Sequence, residues 1–327
     1  MKLELIVSHK NCLDGHSCVA IKQAINDLSN VYSLVFFINP NESFGTSILF
    51  KTLIWIASWF ITLQIVFTDI TPPNISELVL KYKYIQFELY DHHHTQKTII
   101  EDLNKLNLSN IKITFSPESK FGATKLLVDK YENMLTEEQI IYFTKLAACD
   151  MWNSKEFPDF IYFLFGFNNF CDEHLSGKIP NPSGIWQVSF DGDYLIDSYI
   201  KKGKKYYTET EKFLNGWIER NIHSIVINYK DNCKILLVDT SMIRYPYRYS
   251  RDMTSVFAHY LNTTKNFNIN VLAIYKNSYS EYVSLRAVGD DSNGSYDVST
   301  IAKLCDGGGH KKASGCKLQK LRELLNI

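Results

Sequence analysis

Residues 84–90 (YIQFELY) form an apolar run that reads as a buried strand, and the run stops at Asp91-His92-His93-His94. A carboxylate and adjacent imidazoles at the carboxyl end of a strand are costly to bury unless something binds them, and a divalent cation is the usual partner. Neighbouring histidines also suit a solvated loop, so the choice depends on what the rest of the chain brings to the same place.

Residues 3–7, 31–38 and 63–68 read as further strands, and residues 15–28 and 136–148 carry helical patterns. The second of these helices has Thr136 as its N-cap and Glu137 and Glu138 in its first turn. Alternation of this kind predicts an α/β fold with a mostly parallel sheet and helices on both faces. In such sheets the polar residues at strand ends gather along one edge, where ligands bind. His9 and Asp14 follow the first strand, Asp69 the third and Asp91 to His94 the fourth, while Asp150 closes the helix at 136–148. Separate elements thus deliver acids and imidazoles to one expected crevice.

Residues 47–67 (SILFKTLIWIASWFITLQIVF) are about long enough to span a bilayer by the ~20-residue rule. Lys51 and Gln64 interrupt the stretch and Asp69 follows it, so it reads as a buried helix running into a central parallel strand. No membrane association is expected. The seven cysteines are scattered and include no Cys-x-x-Cys, which supports neither a disulfide framework nor a zinc ribbon. The N-terminus lacks a signal-peptide pattern, and a cytoplasmic setting is expected.

Each constellation has a plain alternative. In HKNCLDGH (9–16), Gly15 permits a tight strand-to-helix turn that lets His9 and Asp14 converge, or the segment is a polar loop. Asp69 in VFTDITPP either caps the next helix or bridges two metals, and Asp150 in LAACDMWN is either a ligand or a helix-end acid satisfied by amides. Oxygen and nitrogen donors of this type suit Mn²⁺, Mg²⁺ or Co²⁺ better than a closed structural zinc site. Far downstream lies Cys305-Asp306-Gly307-Gly308-Gly309-His310-Lys311-Lys312. Its glycines can aim backbone amides at an anion, and His310 with the two lysines adds donors and charge. Arg286 in VSLRAVG is a second candidate phosphate contact, or a surface ion pair.

The 327 residues are enough for two domains with separate cores. Residues 176–193 (SGKIPNPSGIWQVSFDGD) are rich in Gly, Pro, Ser and Asn and read as a break, followed by a helical connector over 194–220. Strands are expected at 224–229, 234–240, 271–276 and 282–287, with a helix at 251–261. The expected organisation is a metal-binding domain over 1–185, a linker and connecting helix over 186–222, and a smaller α/β domain over 223–327. The formal net charge of zero argues against a general electrostatic grip on long DNA or RNA.

The segments HKNCLDG, FTD, DHH at 91–93 and CDMW resemble, in order and spacing, the four N-terminal motifs of the DHH phosphoesterase superfamily. SLRA followed by DVSTIAKLCDGGGHKKASG resembles the C-terminal domain associated with it, so the resemblance spans nearly the whole chain. It implies a parallel-sheet catalytic domain, a linker helix and a smaller substrate-binding domain, with a metal pair, commonly manganese, used to hydrolyse phosphoesters. By motif, His9 would ligate the first metal, Asp69 would bridge both, and Asp14, His92 and Asp150 would hold the second. His93 would face the scissile phosphate, with Asp91 orienting the histidines. Arg286, Gly307, Gly308, Gly309 and His310 would hold a terminal phosphate or nucleotide.

The first motif departs from the usual pattern, because Cys12 stands where an Asp is expected. Either its thiolate is a ligand that favours a softer metal, or the first metal is held more weakly, or Cys12 packs and a water takes the place of the missing ligand. The resemblance implies a metal-activated water attacking phosphorus, and the neutral chain favours a short oligonucleotide or dinucleotide over a stable long nucleic-acid partner. The alternatives are a single-strand exonuclease on longer DNA or RNA, and a nucleotide-binding regulatory protein impaired at Asn11-Cys12.

Overall fold

The computed structural model describes residues 2–10, 12–39, 42–47, 50–52, 54–55, 61–151, 153, 155–175, 178–230, 233–242, 253–264, 267–277, 279–289 and 296–327. The chain forms two compact units, Met1–Leu164 with Glu173–Lys201, and Phe165–Asp172 with Lys202–Ile327.

The first unit runs through β1 (Lys2–His9), α1 (Leu13–Leu28), β2 (Tyr32–Ile38), β3 (Thr62–Thr68), α2 (Ile75–Lys81), β4 (Gln86–Asp91), α3 (Lys97–Lys105), β5 (Ile111–Phe115), α4 (Ala123–Tyr131) and α5 (Glu137–Asp150). Its strands are all parallel, in the order β2-β1-β3-β4-β5. The chain steps from β1 outward to β2 and then returns to the other side of β1 for β3, so the order reverses between β1 and β3. The carboxyl ends of those two strands flank the crevice in which open α/β sheets bind ligands.

One sheet face buries Leu5, Val7, Ile65, Phe67, Phe87 and Leu89 against Ile75, Leu78 and Val79 of α2 and Ile100 and Leu103 of α3. On the other face the buried Glu4 is met by Lys22 of α1, and Glu88 by Lys130 of α4. Helices on both faces explain why β3 is buried from Leu63 to Thr68, as a central parallel strand should be. The part of the 47–67 stretch before β3 is helical at residues 50–52 and 54–55, and positions 48–49, 53 and 56–60 lie outside the described residues. Among the described residues no helix is long and apolar enough to cross a membrane.

After α6 (Phe160–His174), the segment expected to be a break contains a helix, α7 (Pro182–Val188). The Asn181 side chain accepts from the Gly184 amide at 2.8 Å and Pro182 occupies the first turn, so the residues read as loop formers are a helix start. The connector is α8 (Gly192–Ile225), longer than the pattern indicated, and it delays the next strand, β6 (Val226–Asn228).

The second unit continues with β7 (Lys234–Asp239), α9 (Met253–Thr264), β8 (Val271–Tyr275), β9 (Tyr282–Ala287), α10 (Val298–Leu304), β10 (Gly308–Gly309), β11 (Ala313–Lys317) and α11 (Leu318–Leu325). Residues 251–252 of the helix expected at 251–261 lie outside the described residues. The strands form a mixed sheet in the order β10-β11-β9-β8-β7-β6, with only the β7–β8 pairing parallel. Its core packs Ile235, Val271, Ala273, Val283 and Leu285 against Val298, Ile301, Leu318 and Leu321.

Candidate metal centre

At the end of β3 the chain enters the left-handed region at Asp69, with φ 57°. That conformation is costly for most residues and tolerated by Asp and Asn. The Asp69 amide donates to Tyr90 O at 2.8 Å, which anchors the turn to β4. Beneath it, Ser8 Oγ donates to Gly15 O or Thr68 O, each at 2.9 Å, and Thr68 Oγ1 lies 3.0 Å from Ser8 Oγ. This hydroxyl pair ties the ends of β1 and β3 to the first turn of α1. Gly15 is required there, because a Cβ would lie 2.8 Å from His9 O and 3.2 Å from Asp69 Oδ2.

Asp91 ends β4 fully buried. Its Oδ1 accepts from the amides of His92 (2.7 Å) and His93 (3.0 Å) and lies 2.7 Å from His93 Nδ1, and its Oδ2 accepts from Thr71 Oγ1. Burial works against the charged form, but His93 and then His92 and Thr71 outweigh it and hold Asp91 below the usual carboxylate range. Asp91 thereby holds the ring of His93 and the backbone of both histidines that follow it.

His92 is buried among three acids. Its Nε2 lies 3.2 Å from Asp69 Oδ1, 3.4 Å from Asp150 Oδ2 and 3.8 Å from Asp14 Oδ2. His9 Nδ1 lies 3.5 Å from Asp69 Oδ2, and His93 Nδ1 lies 3.9 Å from Asp69 Oδ1. Among the described residues of the first unit, two sets of ligand atoms each fall within 4.8 Å of one another: His9, Asp69 and His93, and Asp14, His92 and Asp150. Asp14, Asp69 and His92 are closed off at 0–1% exposure, whereas the side chains of His9 (22%), His93 (21%) and Asp150 (24%) reach solvent. The cluster therefore has a sealed floor and an open rim.

The three acids crowd one another. Burial first, and then Asp69 and Asp150, push the Asp14 carboxyl well above its ordinary range, and burial chiefly raises Asp150. Burial would raise Asp69 too, but His9 and His92 beside it outweigh that effect and hold it well below the range. Burial disfavours the His92 imidazolium, yet Asp69, Asp150 and Asp14 raise it to about 10. Asp69 Oδ2 is buried and accepts no close hydrogen bond among the described residues, an arrangement that costs stability unless a cation meets it. A mixed oxygen and imidazole donor set with that orphaned oxygen fits a hard-to-borderline divalent ion.

Sequence reasoning missed the partners that aim these acids. The Asp14 carboxylate accepts from the amides of Ala123 (2.6 Å) and Thr124 (3.2 Å) at the start of α4, and Thr124 Oγ1 donates to Asp14 O at 3.0 Å. Thr71, in the same TDITPP segment as Asp69, supports Asp91. A glycine before a helix, as in Phe121-Gly122-Ala123, was the only signal for the first of these.

Cys12 lies beside the cluster, with Sγ 4.0 Å from Asp150 Oδ1, but outside both ligand sets. Burial and then Asp69, Asp150 and Asp14 push its thiol well above the ordinary value, so the protein alone keeps it protonated. Asn11 lies outside the described residues. His94 Nε2 lies 3.9 Å from the exposed Glu118.

In the second unit the glycine run is a tight chain reversal. A Cβ at Gly307 would lie 2.0 Å from Gly315 O, and one at Gly309, whose φ is 134°, would lie 2.7 Å from Ala313 O and Ser314 Cα. The Gly307 amide donates to Ala302 O and closes the end of α10, and the His310 amide donates to Ala313 O. Arg286 sits opposite Ala313 in the sheet, its Nη1 donating to Leu285 O.

No family model and no curated protein matches the chain. Among solved structures it is similar to an exopolyphosphatase-related protein from Bacteroides fragilis, with 14% identity, a TM-score of 0.46, and coverage of 99% of this chain and 90% of that one. It is similar to a pGpG-specific phosphodiesterase from Vibrio cholerae at 13% identity and a TM-score of 0.46, covering 99% and 96%. RecJ from Thermus thermophilus, in complex with Mn²⁺, gives 11% identity and a TM-score of 0.47, covering 99% of this chain and 51% of that one.

Proposed function

We propose that the chain is a metal-dependent phosphoesterase that hydrolyses phosphodiester bonds in short oligonucleotides or dinucleotides. The observation that carries this reading is the pair of ligand sets around Asp69 and His92, whose facing atoms lie 3.2 Å apart. His9 and Asp69 would hold one cation, and Asp14, His92 and Asp150 a second, with Asp69 placed to serve both. A divalent pair, Mn²⁺ before Mg²⁺ or Co²⁺, would supply water activation and charge neutralisation at phosphorus.

The chain's own part is orientation and exclusion. Burial opposes a charge on His93, but Asp91, 2.7 Å from Nδ1, outweighs it and raises the imidazole's pKa, and the Nε2–H of the charged ring is assigned to donate to a non-bridging phosphoryl oxygen. The buried floor of Asp14, Asp69 and His92 keeps bulk water from the ligand atoms, and the open rim at His9, His93 and Asp150 admits the phosphate. Arg286, Gly308, Gly309 and His310 of the second unit are assigned to the terminal phosphate or nucleotide. Gly307 is assigned to the chain reversal, because its amide is already used.

The test is hydrolysis by metal-stripped protein resupplied with Mn²⁺, with a 5′-labelled dinucleotide and a 20-mer side by side. Mn²⁺-dependent cleavage favouring the dinucleotide is expected, and preference for the 20-mer would convert the reading to a single-strand exonuclease. A folded sample that binds nucleotide and cleaves neither would make the chain a binding protein.

A further inference from the structure

We propose that the turn Gly122-Ala123-Thr124 is a positioning element of the metal centre, which sets where the Asp14 carboxylate stands relative to Asp150. The inference rests on the metal-centre reading above and assigns a role to residues outside both ligand sets.

The turn is fastened on two sides. Toward α1, the amides of Ala123 and Thr124 donate to Asp14 Oδ2 and Oδ1 at 2.6 and 3.2 Å, one to each oxygen. Toward α5, the Gly122 amide donates to Ala147 O at 2.8 Å, one turn before Asp150. Asn153, just past Asp150, donates through Nδ2 to Lys120 O at 3.1 Å. Residues 120–124 thus register the two acids that flank His92 to each other. Each Asp14 oxygen has one lone pair occupied by an amide, which fixes the plane of the carboxylate and leaves the ring of His92 on its open side.

A structural alternative would make Asp14 nothing more than a cap for α4, which has no side-chain cap of its own. Gly122 shows how closely the turn fits the carboxylate, and gives the variant that separates the two. Its φ of −67° and ψ of 177° are open to any residue, so the backbone does not require glycine there. Space does require it, because a Cβ at 122 would lie 2.5 Å from the Asp14 carboxylate carbon. Position 122 is empty of side chain because Asp14 fills that volume.

Gly122→Ala therefore displaces the carboxylate without straining the helix start. Ala123→Pro removes the amide that meets Oδ2 at a helix position where proline is tolerated. The readout is Mn²⁺ titration followed by electron paramagnetic resonance of the free ion, on full-length protein, with the Tm of the metal-free form recorded alongside. Both variants should bind one Mn²⁺ as the parent does and the second about tenfold or more weakly, with the metal-free Tm little changed. Gly216→Ala, where nothing lies within 4 Å of the added methyl, should leave both ions in place. Parent-like binding of both ions by either folded variant overturns the proposal, as does failure of both to fold, which would make the turn a folding element. A parent that binds no Mn²⁺ fails the metal-centre reading itself, a result distinct from either.

Discussion

Asp69 carries two demands at one position, a left-handed backbone and a buried carboxylate. Asp69→Asn meets the first and removes the second, since Asn tolerates the conformation about as well. It should fold as the parent does and lose Mn²⁺ binding. Asp69→Ala should lose binding too, and in urea melts of the metal-free protein it should be less stable than Asp69→Asn by roughly 1 kcal/mol. Equal stability of the two variants would show that the left-handed backbone places no demand on the side chain. Asp69, Asp91 and the histidines were legible in the sequence because a charged residue at the end of an apolar run has few reasons to be there. Thr71, Ser8 and Gly122 were not legible. They act through a hydroxyl or a backbone amide on partners distant in sequence, or by leaving room for one, and nothing in their own neighbourhoods marks them.

Elements in the first unit are locked by a polar layer on the face opposite the α2–α3 core. Lys22 Nζ lies 3.1 Å from both oxygens of Glu4, which also accepts from Asn26 at 2.7 Å, and all three residues are buried. Lys22→Met leaves that carboxylate without its cation and should cost about 3–5 kcal/mol, while the double variant with Glu4→Leu should recover most of the loss. Chemical denaturation of the three proteins gives the answer, and a double variant no better than the single would mean that packing, not charge, sets the cost. Glu88 gives the layer a pH dependence. Its burial opposes ionisation, but Lys130 at 2.8 Å and Tyr90 at 2.7 Å hold its pKa below the ordinary value. A depressed carboxyl stabilises above its unfolded pKa of about 4.3 and loses that contribution as pH falls through the folded value. The stability difference between the parent and Glu88→Gln should thus be full at neutral pH and vanish in acid, and a pH-independent difference would contradict it. The strands were read as apolar runs, and nothing in those runs marked Glu4 and Glu88 as one polar face. Helix α7 was hidden because its start uses Asn, Pro, Ser and Gly, the residues that also make loops. Strand β5 was passed over although Ile111, Ile113 and Phe115 alternate with Lys112 and Thr114, since so short a run does not stand out.

Over the whole molecule, the strand order was the part the sequence left open. The alternation of strands and helices predicts a parallel sheet, but only the reversal between β1 and β3 explains why His9, Asp14 and Asp69 meet Asp91, His92 and Asp150 at one edge. All these residues belong to the first unit, while the second has a core of its own around its mixed sheet. A cation held only by the native ligand sets stabilises the unit that supplies them, by about 2.7 kcal/mol at a hundredfold excess over its Kd. For a unit of this size that corresponds to a rise in Tm of about 5–10 °C. Differential scanning calorimetry of metal-stripped protein should therefore show a Mn²⁺-dependent upward shift of the transition that contains the first unit. Asp14→Asn should reduce the shift without abolishing the transition. If the scans with and without Mn²⁺ superimpose, the acids and imidazoles around His92 are not a metal centre, and their mutual ion pairs must account for the cluster alone.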